Sequence, residues 1–543
     1  MKSIHRSILS GALISGAALL AFMMMGTPRA HAETVIGADG APGASCFPNG
    51  KGCAGGNGGD GESVSASGNP AMAIGGSGGE VGGGDAADED GNGGAGGSAA
   101  ALATGSSGNA NVTVSASARG GDGSSTSGES VLGGAGGDAN ASSVATSSGP
   151  GVASSSASAT GGWGSVGRNG GGAGGDANGS SAAVSSGPGV ASSSASATGG
   201  AGGGSQFGGG AGGDANASSG ATSSGSGGAS SSATATGISL ISDGGNVSAR
   251  ANASAIGRGT ALAKAVAKGG TFEFTETANA TSTAETAKGA FAQAQSTAYG
   301  TSGHAQLDAK TSFGGVSVQS SAIAPTGGGT ATTNAISQGG AGQAFVNPGQ
   351  TAYAFSTASP NKAYAATLID GASHVASALL GPRDAVFGTA IMGANYAPDG
   401  GGESNTYSAS STFDFGYRSD LQLGLIDDQV SGFAKGLGFQ SMEFTIQADG
   451  VEVLDVTFGS LAIAESFFRD DVIDLGADFG PNIDLTFGYT LIADGPGGFG
   501  FDLAIGGAVP EPSTWAMMLV GFAGLGFAGY RSTRRCAGLR ARG

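Results

Sequence analysis

Small apolar and small polar side chains alternate along much of the chain. The segments Ala139–Ser147 and Val152–Thr160 are two arms of similar length, joined by Ser148–Gly151, which reads Ser-Gly-Pro-Gly. In the second arm one face carries Ala153, Ser155, Ala157 and Ala159, and the other carries Ser154, Ser156 and Ser158. A period of two is typical of a β-strand, and Gly-Pro-Gly favours a tight turn. The pattern predicts strand, turn and strand.

This unit recurs along the chain. A Gly-Gly-x-Gly-Gly motif lies at Gly55–Gly59, Gly93–Gly97, Gly133–Gly137, Gly171–Gly175 and Gly209–Gly213, with start-to-start steps of 38, 40, 38 and 38 residues. A fixed period of this size is typical of repeat proteins, in which each unit is stabilised by its neighbours. We therefore predict units of strand, turn, strand and glycine-rich loop, with a period of about 38 residues over 55–247.

The alternation continues beyond the regular repeats. Alanine occupies every second position of Ala249–Ala255, Ala261–Ala267 and Ala290–Ala294. A face of alanine, serine and glycine suits closely stacked sheets or a narrow β-solenoid, where larger side chains do not fit. Glycine contributes 112 of the 543 residues, so a flexible, partly disordered stalk is the alternative. The strict period favours an ordered, β-solenoid-like array over 55–344.

Larger side chains follow the array. The segment Met442–Phe458 alternates on either side of Asp449-Gly450, which is typical of a type I′ hairpin. A short helix is predicted at Leu461–Phe468, and a second pair of alternating segments follows over 483–505. We predict an antiparallel β-sandwich or jelly roll over 345–508. The predicted fold class of the whole chain is therefore all-β.

The N-terminal segment, 1–32, has the pattern of a secretory signal peptide. Two basic residues precede an apolar stretch, and Ala30-His31-Ala32 is a small-residue cleavage site. The mature chain is therefore predicted to begin at Glu33, after export through the inner membrane.

A linker, 33–54, separates the signal peptide from the array. It contains Cys46 and Cys53, which flank six residues. Two cysteines this close in an oxidising compartment predict a small disulfide loop that acts as a structural clip. The spacing differs from that of a Cys-x-x-Cys metal or redox motif.

The C-terminal tail, 509–543, combines three features in a fixed order. Pro510, Glu511 and Pro512 come first, an uncharged segment beginning with Trp515 and Ala516 comes next, and a basic cluster that includes Arg531, Arg534 and Arg535 ends the chain. The uncharged segment, 515–530, predicts a transmembrane helix close to the minimum spanning length. The arginines after it are expected on the cytoplasmic side of the membrane.

This tail resembles the PEP-CTERM sorting signal in its PEP-x-x-WA form. The resemblance rests on Pro510, Glu511, Pro512, Trp515 and Ala516, followed by the apolar segment and the arginines. It implies recognition by an exosortase, a membrane protease that would remove the tail. The protein would then be anchored transiently through its C-terminal segment and released or attached at the cell surface or in the extracellular matrix. The alternative is an ordinary tail anchor.

The charge of the chain restricts its partners. The formal net charge is −18, and loss of the leader's three and the tail's five basic residues would take it to −26. Such acidity argues against nucleic acid and anionic membrane surfaces as partners.

One motif has a partial resemblance to a metal site. The Gly-Gly-x-Gly-Gly-Asp turns that end in Asp138, Asp176 and Asp214 resemble the calcium-binding turns of RTX β-rolls, which supply carboxylate and carbonyl oxygens. RTX turns recur every nine residues, whereas these recur every 38. The alternative is that each aspartate bonds to the local backbone. Calcium is the sole cofactor that the sequence suggests.

The rest of the sequence carries little recognisable chemistry. Because it contains no nucleophile–base pair and no metal-ligand spacing of His and Cys, we expect a protein that is not an enzyme. The leading hypothesis is an exported structural protein of the cell surface or extracellular matrix, associated with a biofilm or an exopolysaccharide, a setting that the tail resemblance implies. The alternative is an adhesin or carbohydrate-binding module within 345–508, displayed on the repetitive stalk, with Tyr407, Phe413 and Phe415 as candidate contact residues.

Overall fold

The structure is a computed structural model with full side chains. It describes residues 31–46, 55–83, 91–125, 132–206, 208–238, 245–257, 259–269, 277–286, 292–299, 302–311, 316–323, 329–337, 343–344, 353–359, 369, 372–379, 386–396, 405–415, 421–426, 438–476, 483–494, 497–507, 520 and 522–523. The predicted signal peptide up to Ala30, Cys53 and nearly all of the predicted tail, 509–543, lie outside these residues.

Twenty-eight strands and two helices lie within the described residues. The strands are β1 (Glu33–Ile36), β2 (Val64–Gly68), β3 (Ala71–Ile74), β4 (Ala99–Ser107), β5 (Val112–Arg119), β6 (Ala139–Ser147), β7 (Ala153–Thr160), β8 (Ala177–Ser185), β9 (Ala191–Thr198), β10 (Ala215–Ser223), β11 (Ala229–Thr236), β12 (Val247–Ala255), β13 (Ala261–Lys268), β14 (Thr277–Thr286), β15 (Ala292–Tyr299), β16 (Ser302–Thr311), β17 (Val316–Ile323), β18 (Gly329–Ser337), β19 (Gln343–Ala344), β20 (Tyr353–Ser359), β21 (Val386–Tyr396), β22 (Asn405–Phe415), β23 (Leu421–Ile426), β24 (Phe439–Ala448), β25 (Val451–Phe458), β26 (Asp471–Gly476), β27 (Ile483–Ala493) and β28 (Gly497–Gly507). The helices are α1 (Ser373–Leu379) and α2 (Leu461–Phe467).

The strands form two long sheets. Sheet A has the order β1-β3-β5-β7-β9-β11-β13-β15-β17-β20-β21-β28-β23-β26, with β19 beside β17, and sheet B has the order β2-β4-β6-β8-β10-β12-β14-β16-β18-β22-β27-β24-β25. Consecutive strands such as β6 and β7 therefore lie in opposite sheets. Each pairs in parallel with the equivalent strand of the next repeat, so the chain winds in coils, and the predicted β-solenoid-like architecture is confirmed.

The length of one coil shortens along the array. Ala139 of β6 pairs with Ala177 of β8, one 38-residue period later. Further on, Ala215 pairs with Val247 and Thr277 pairs with Ser302. The strands keep nearly the same length throughout, so the residues are lost between coils. This is why the alternating pattern continues after the glycine motifs end.

The space between the two sheets of the array is filled mostly by alanine and serine, with Val112, Val114 and Val247 as larger buried side chains. Ala139, Ala153, Ala233 and Ala251 are fully buried, and the other inward positions of the array follow the same rule. A buried methyl contributes only about 0.8 kcal/mol. The array therefore depends on the summed backbone hydrogen bonds and on contacts between neighbouring coils.

The glycine-rich segments lie outside the strands, as predicted, and their backbones are hydrogen-bonded to one another and to neighbouring coils. We call Gly161–Ser165 the first glycine arm and Gly171–Asp176 the second glycine arm of one coil. In the second arm, the Gly174 N–H donates to Ala211 of the next coil (2.8 Å), and the Gly175 N–H donates to Gly162 of the first arm (2.9 Å). The N–H of the third residue, Asp176, donates to an aspartate of the preceding coil. Three successive residues thus point in three directions.

This three-residue rotation is the geometry of a polyproline II helix, which makes no hydrogen bonds within itself. Neighbouring arms supply the missing bonds, because Gly162 donates to Gly137 of the preceding coil and Gly200 of the next coil donates to Gly175 (2.8 and 2.9 Å). A Cβ on Gly175 would overlap the carbonyl group of Gly137. The glycines of the second arm do not have positive φ, so glycine is needed here for close approach of backbones.

The first glycine motif is out of step with the later ones. The N–H of Gly58 donates to Asn92 and that of Gly61 donates to Ala95. Asp60 therefore lies beside Ala95, three residues away from the alignment that the motif Gly55–Gly59 suggests. A shift of three residues is one turn of a polyproline II helix. Because Gly-Gly-x repeats every three residues, the shifted segment presents glycine at the same positions.

The C-terminal sandwich extends the same two sheets. Strand β22 pairs in parallel with β18 of the array, and β20 pairs antiparallel with β17. Beyond these strands the pairing is antiparallel. The sheets thus cross the boundary near residue 345 without a break, and the sandwich covers the C-terminal end of the array.

Large side chains fill the sandwich. The ring of Phe501 is fully buried and stacks on Phe468 with centroids 4.0 Å apart, while Phe444 meets both rings edge-on. Helix α1 covers sheet A through Val375 and Leu379, which are fully buried. Sheet A is therefore covered on both sides here.

Two local predictions have different outcomes. The β24–β25 hairpin is confirmed, because Met442 pairs with Phe458 and both turn residues, Asp449 and Gly450, have positive φ (52° and 75°). The second predicted pair, β27 and β28, is not a hairpin, since the two strands lie in opposite sheets. Alternation identifies a strand but not its partner.

Candidate functional site: the outward ladders of the array

The aspartates of the glycine motifs form a column along the array. Oδ1 of Asp138 accepts the backbone N–H of Asp176 (2.9 Å), and Oδ1 of Asp176 accepts that of Asp214 (2.8 Å). Asp214 does the same for Asn246 (2.7 Å). Each aspartate thus accepts the outward-facing N–H at the end of the next coil's second glycine arm, one position after the two glycines whose N–H groups donate to neighbouring backbones.

This column bears on the calcium prediction. Asp138, Asp176 and Asp214 are brought together, but each already accepts a backbone hydrogen bond. Within the described residues there is no group of three or more His, Cys, Asp or Glu side chains that could hold a metal ion. These bonds go to the backbone of the next coil, 38 residues away for Asp138 and Asp176, and so differ from the local turn bonds of the alternative. Calcium binding stays a prediction.

A second ladder begins two residues further along each strand of sheet B. The Nδ2 of Asn178 donates to Oδ1 of Asn140 (3.1 Å), and Nδ2 of Asn216 donates to Oδ1 of Asn178 (3.2 Å). An amide side chain has two donors and an acceptor with two lone pairs. One donor of Asn178 and one of its acceptor sites are used within the ladder, and the remaining capacity faces solvent, since all three asparagines are exposed.

A groove runs beside this ladder, across the strands of sheet B. Its volume is about 1010 Å³. Asn140, Asn178 and Asn216 line one side, Ser142, Ser180 and Ser218 line the other, and Ala141, Gly179 and Ala217 lie between them. The groove reaches from β2 to β12, with Glu33 near one end and Arg250 near the other. At about 4.8 Å between strands, five spacings give a length of about 24 Å.

The outer face of sheet A is a regular array of hydroxyl groups. Four strands, β5, β7, β9 and β11, contribute Thr113, Ser115, Ser117, Ser154, Ser156, Ser158, Thr160, Ser192, Ser194, Ser196, Thr198, Ser230, Ser232, Thr234 and Thr236 at outward positions. This face and the groove lie on opposite sides of the two-sheet array, and within these four strands Arg119 is the one charged outward residue.

The C-terminal sandwich offers a weaker candidate. Phe413 is 3% exposed and packs edge-on against Phe487, so the predicted carbohydrate-contact residue is part of the interior. The side chains of Tyr407 and Phe415 lie outside the described residues.

Asp470, which follows α2 in the chain, has a structural role. Both carboxylate oxygens of Asp470 accept the N–H of His374 (3.0 Å each), and Oδ1 also accepts that of Val375 (3.0 Å). These bonds hold the start of α1, where helix N–H groups lack partners in the helix itself.

The terminal predictions have few described residues. Strand β1 begins at Glu33, the predicted first residue of the mature chain. Cys46 forms a disulfide bond, and its pairing with Cys53 stays a prediction. Among the described residues no helix has the length and hydropathy to cross a membrane; the predicted span, 515–530, falls almost wholly outside them.

The groove was missed in the sequence although its signal was present. Asn140, Asn178 and Asn216 follow the aspartates by two residues in each copy. The alternation of side chains along a strand predicts that these asparagines face outward. Their contact follows only from the strand pairing, which aligns residues 38 positions apart.

Comparison with known protein families matches residues 508–535 to the PEP-CTERM protein-sorting motif. The matched residues include every predicted sorting residue from Pro510 to Arg535. No curated protein and no solved structure matches the chain.

Proposed function

The chain carries a PEP-CTERM protein-sorting motif at its C-terminal end, and from this premise we propose that it is a non-enzymatic structural protein of the extracellular matrix or cell surface. The motif marks an exported protein that an exosortase processes, with a location at the surface or outside the cell. The proposal concerns what the exported part does there: it forms a rod that presents repeated neutral polar faces.

The observation that carries the proposal is the continuity of the two sheets. Ten strands of sheet B, from β2 to β22, are stacked in parallel, which gives a rod about 43 Å long at about 4.8 Å per strand. One uninterrupted hydrophobic cluster extends from Ala66 to Ile505. Continuous sheets and a continuous core favour a rigid rod, which suits a spacer or scaffold in a biofilm or exopolysaccharide matrix.

Charge supports the same role. The acidic mature chain repels polyanions, and charged residues are only 11% of the sequence. The faces of the array therefore favour neutral, hydrogen-bonding partners.

Intact-mass analysis of the protein recovered from the surface of its native cell tests the proposal. We expect a chain that starts at Glu33 and has lost the tail, together with a mass two hydrogens lower than the reduced form, from the disulfide at Cys46. Deletion of the gene should weaken matrix cohesion without loss of a hydrolytic activity. A full-length chain retained in the inner membrane, or a cell surface unchanged by the deletion, would count against it.

A further inference from the structure

We propose that the groove on sheet B binds a linear, uncharged polysaccharide that lies along the axis of the array. This inference rests on the proposed function and gives the scaffold a specific partner. The groove is defined by the amide ladder Asn140, Asn178 and Asn216 and the hydroxyl ladder Ser142, Ser180 and Ser218.

The shape of the groove favours a polymer. It crosses six strands of sheet B and extends about 24 Å at about 4.8 Å per strand. Three successive coils present the same amide and the same hydroxyl at the same place. A ligand with a repeating unit can use all of these positions at once, and each added contact is then made at high effective concentration.

The floor of the groove favours close approach. Ala141, Gly179 and Ala217 lie between the two ladders, and their side chains point inward or are absent. A flat sugar ring can therefore rest on the strand backbone. Serine hydroxyls and asparagine amides on the two sides both donate and accept hydrogen bonds, as sugar hydroxyls do.

Charge selects the class of polysaccharide. From β4 to β10 the lining residues carry no charge, and the two charged side chains, Glu33 and Arg250, lie at opposite ends. The acidic chain as a whole opposes acidic glycans and nucleic acids. What remains is a neutral polymer whose recognition depends on hydrogen bonds.

The amide ladder also prepares the site before binding. The bonds between Asn140, Asn178 and Asn216 fix the orientation of the three side chains. A pre-oriented donor loses less conformational freedom when a ligand binds.

Affinity electrophoresis of the exported, tail-processed protein in gels that contain soluble mixed-linkage β-glucan tests the proposal, with alginate as the acidic comparison.

We expect β-glucan to retard the wild-type protein and alginate to leave it unchanged. The triple variant S142V/S180V/S218V should bind β-glucan about tenfold more weakly. The matched variant S156V/S194V/S232V places the same changes at outward positions of sheet A and should bind as the wild type does. Valine suits outward strand positions, so circular dichroism should show that both variants are folded.

The single variant Asn178→Ala supplies a second measurement if the triple variant does not fold. It interrupts the amide ladder without adding bulk and should weaken β-glucan binding about threefold. Equal loss in both triple variants, retardation by alginate alone, or no retardation of the wild type would overturn the proposal. Because these results are obtained with purified protein, they are independent of the surface-mass measurement that tests the proposed function.

Discussion

The array and the C-terminal sandwich share two continuous sheets but are held together differently. In the array the inward side chains are mostly alanine and serine, and glycine arms contact each other through backbone groups. In the sandwich the fully buried side chains include Phe444, Phe458, Phe487 and Phe501. One fold layout is therefore stabilised by backbone hydrogen bonds at one end and by side-chain burial at the other.

The comparison explains the composition of the chain. Where the backbone itself forms the interface, any side chain at a glycine position is an obstruction, so glycine and alanine accumulate. Where side chains form the interface, each large residue contributes a few kcal/mol, and fewer residues are needed. A smaller side chain should therefore destabilise the sandwich, whereas a larger side chain at a glycine position should destabilise the array.

The largest effect is expected from a truncation in the sandwich. Phe501→Ala removes a buried ring that contacts Phe468, Phe444 and Tyr489, and should lower the free energy of unfolding of this region by about 4 kcal/mol. Denaturant unfolding followed by aromatic fluorescence measures it. Val451→Ala, at a position 67% exposed, is the control and should change little. A loss below about 1 kcal/mol at Phe501 would contradict the described packing.

Adding a side chain at a glycine position of the array should also lower the free energy of unfolding, because the added atoms overlap a neighbouring backbone. Gly175→Ala adds one methyl that overlaps the carbonyl group of Gly137, and should cost about 3 kcal/mol through displacement of the glycine arms. If Gly175 were in a flexible loop, the same change would be neutral or stabilising, because alanine restricts the unfolded chain. Ala173→Ser, at an exposed third position of the same arm, is the matched control. Thermal unfolding of the three proteins distinguishes the two outcomes.

A smaller effect is expected between the two sheets of the array. The hydroxyls of Ser143 and Ser155 are buried and 2.7 Å apart. Ser155→Ala leaves the Ser143 hydroxyl without this bond and should cost about 1.5 kcal/mol. The double change to alanine should cost less than the sum of the two single changes, because no buried hydroxyl then lacks its partner. Additive costs in a double-mutant cycle would mean that the pair is not formed.

The smallest effect concerns the aspartate column. Asp176→Ala removes the acceptor for the N–H of Asp214 and should lower local stability by about 0.5 kcal/mol, since the group is exposed and water can replace it. Asp176→Asn keeps the acceptor and removes a like charge from the column, so it should be neutral or slightly stabilising. Amide exchange at Asp214 reports both changes. Faster exchange in the asparagine variant than in the alanine variant would rule out this role.

Much of the architecture could be predicted from the sequence because the relevant signals are local. The alternation in Val152–Thr160 predicts a strand, and Asp449-Gly450 predicts a hairpin. The recurrence of the glycine motif predicts that successive repeats stack on one another. Each depends only on neighbours in the chain. The sorting tail is also read locally, as a motif within 508–535.

What the sequence did not reveal depends on register between distant residues. The three directions of Gly174, Gly175 and Asp176 are clear only when the neighbouring arms are present. The same holds for the amide ladder, whose members are 38 residues apart, and for β27 and β28, whose partners lie elsewhere in the chain. The spacing in Gly-Gly-x-Gly-Gly already contained a period of three, which is the signal of the ordered arms.

Amide hydrogen exchange of the second glycine arms tests most directly whether these segments are structural. The central claim is that the glycines of Gly133–Gly137 and Gly171–Gly175 donate their N–H groups to neighbouring backbones, as the residues of β6 and β8 do. The account predicts that these glycine N–H groups are protected as strongly as those of the adjacent strands. Exchange at the rate of an unstructured glycine-rich peptide, with protection confined to the strands, would contradict it.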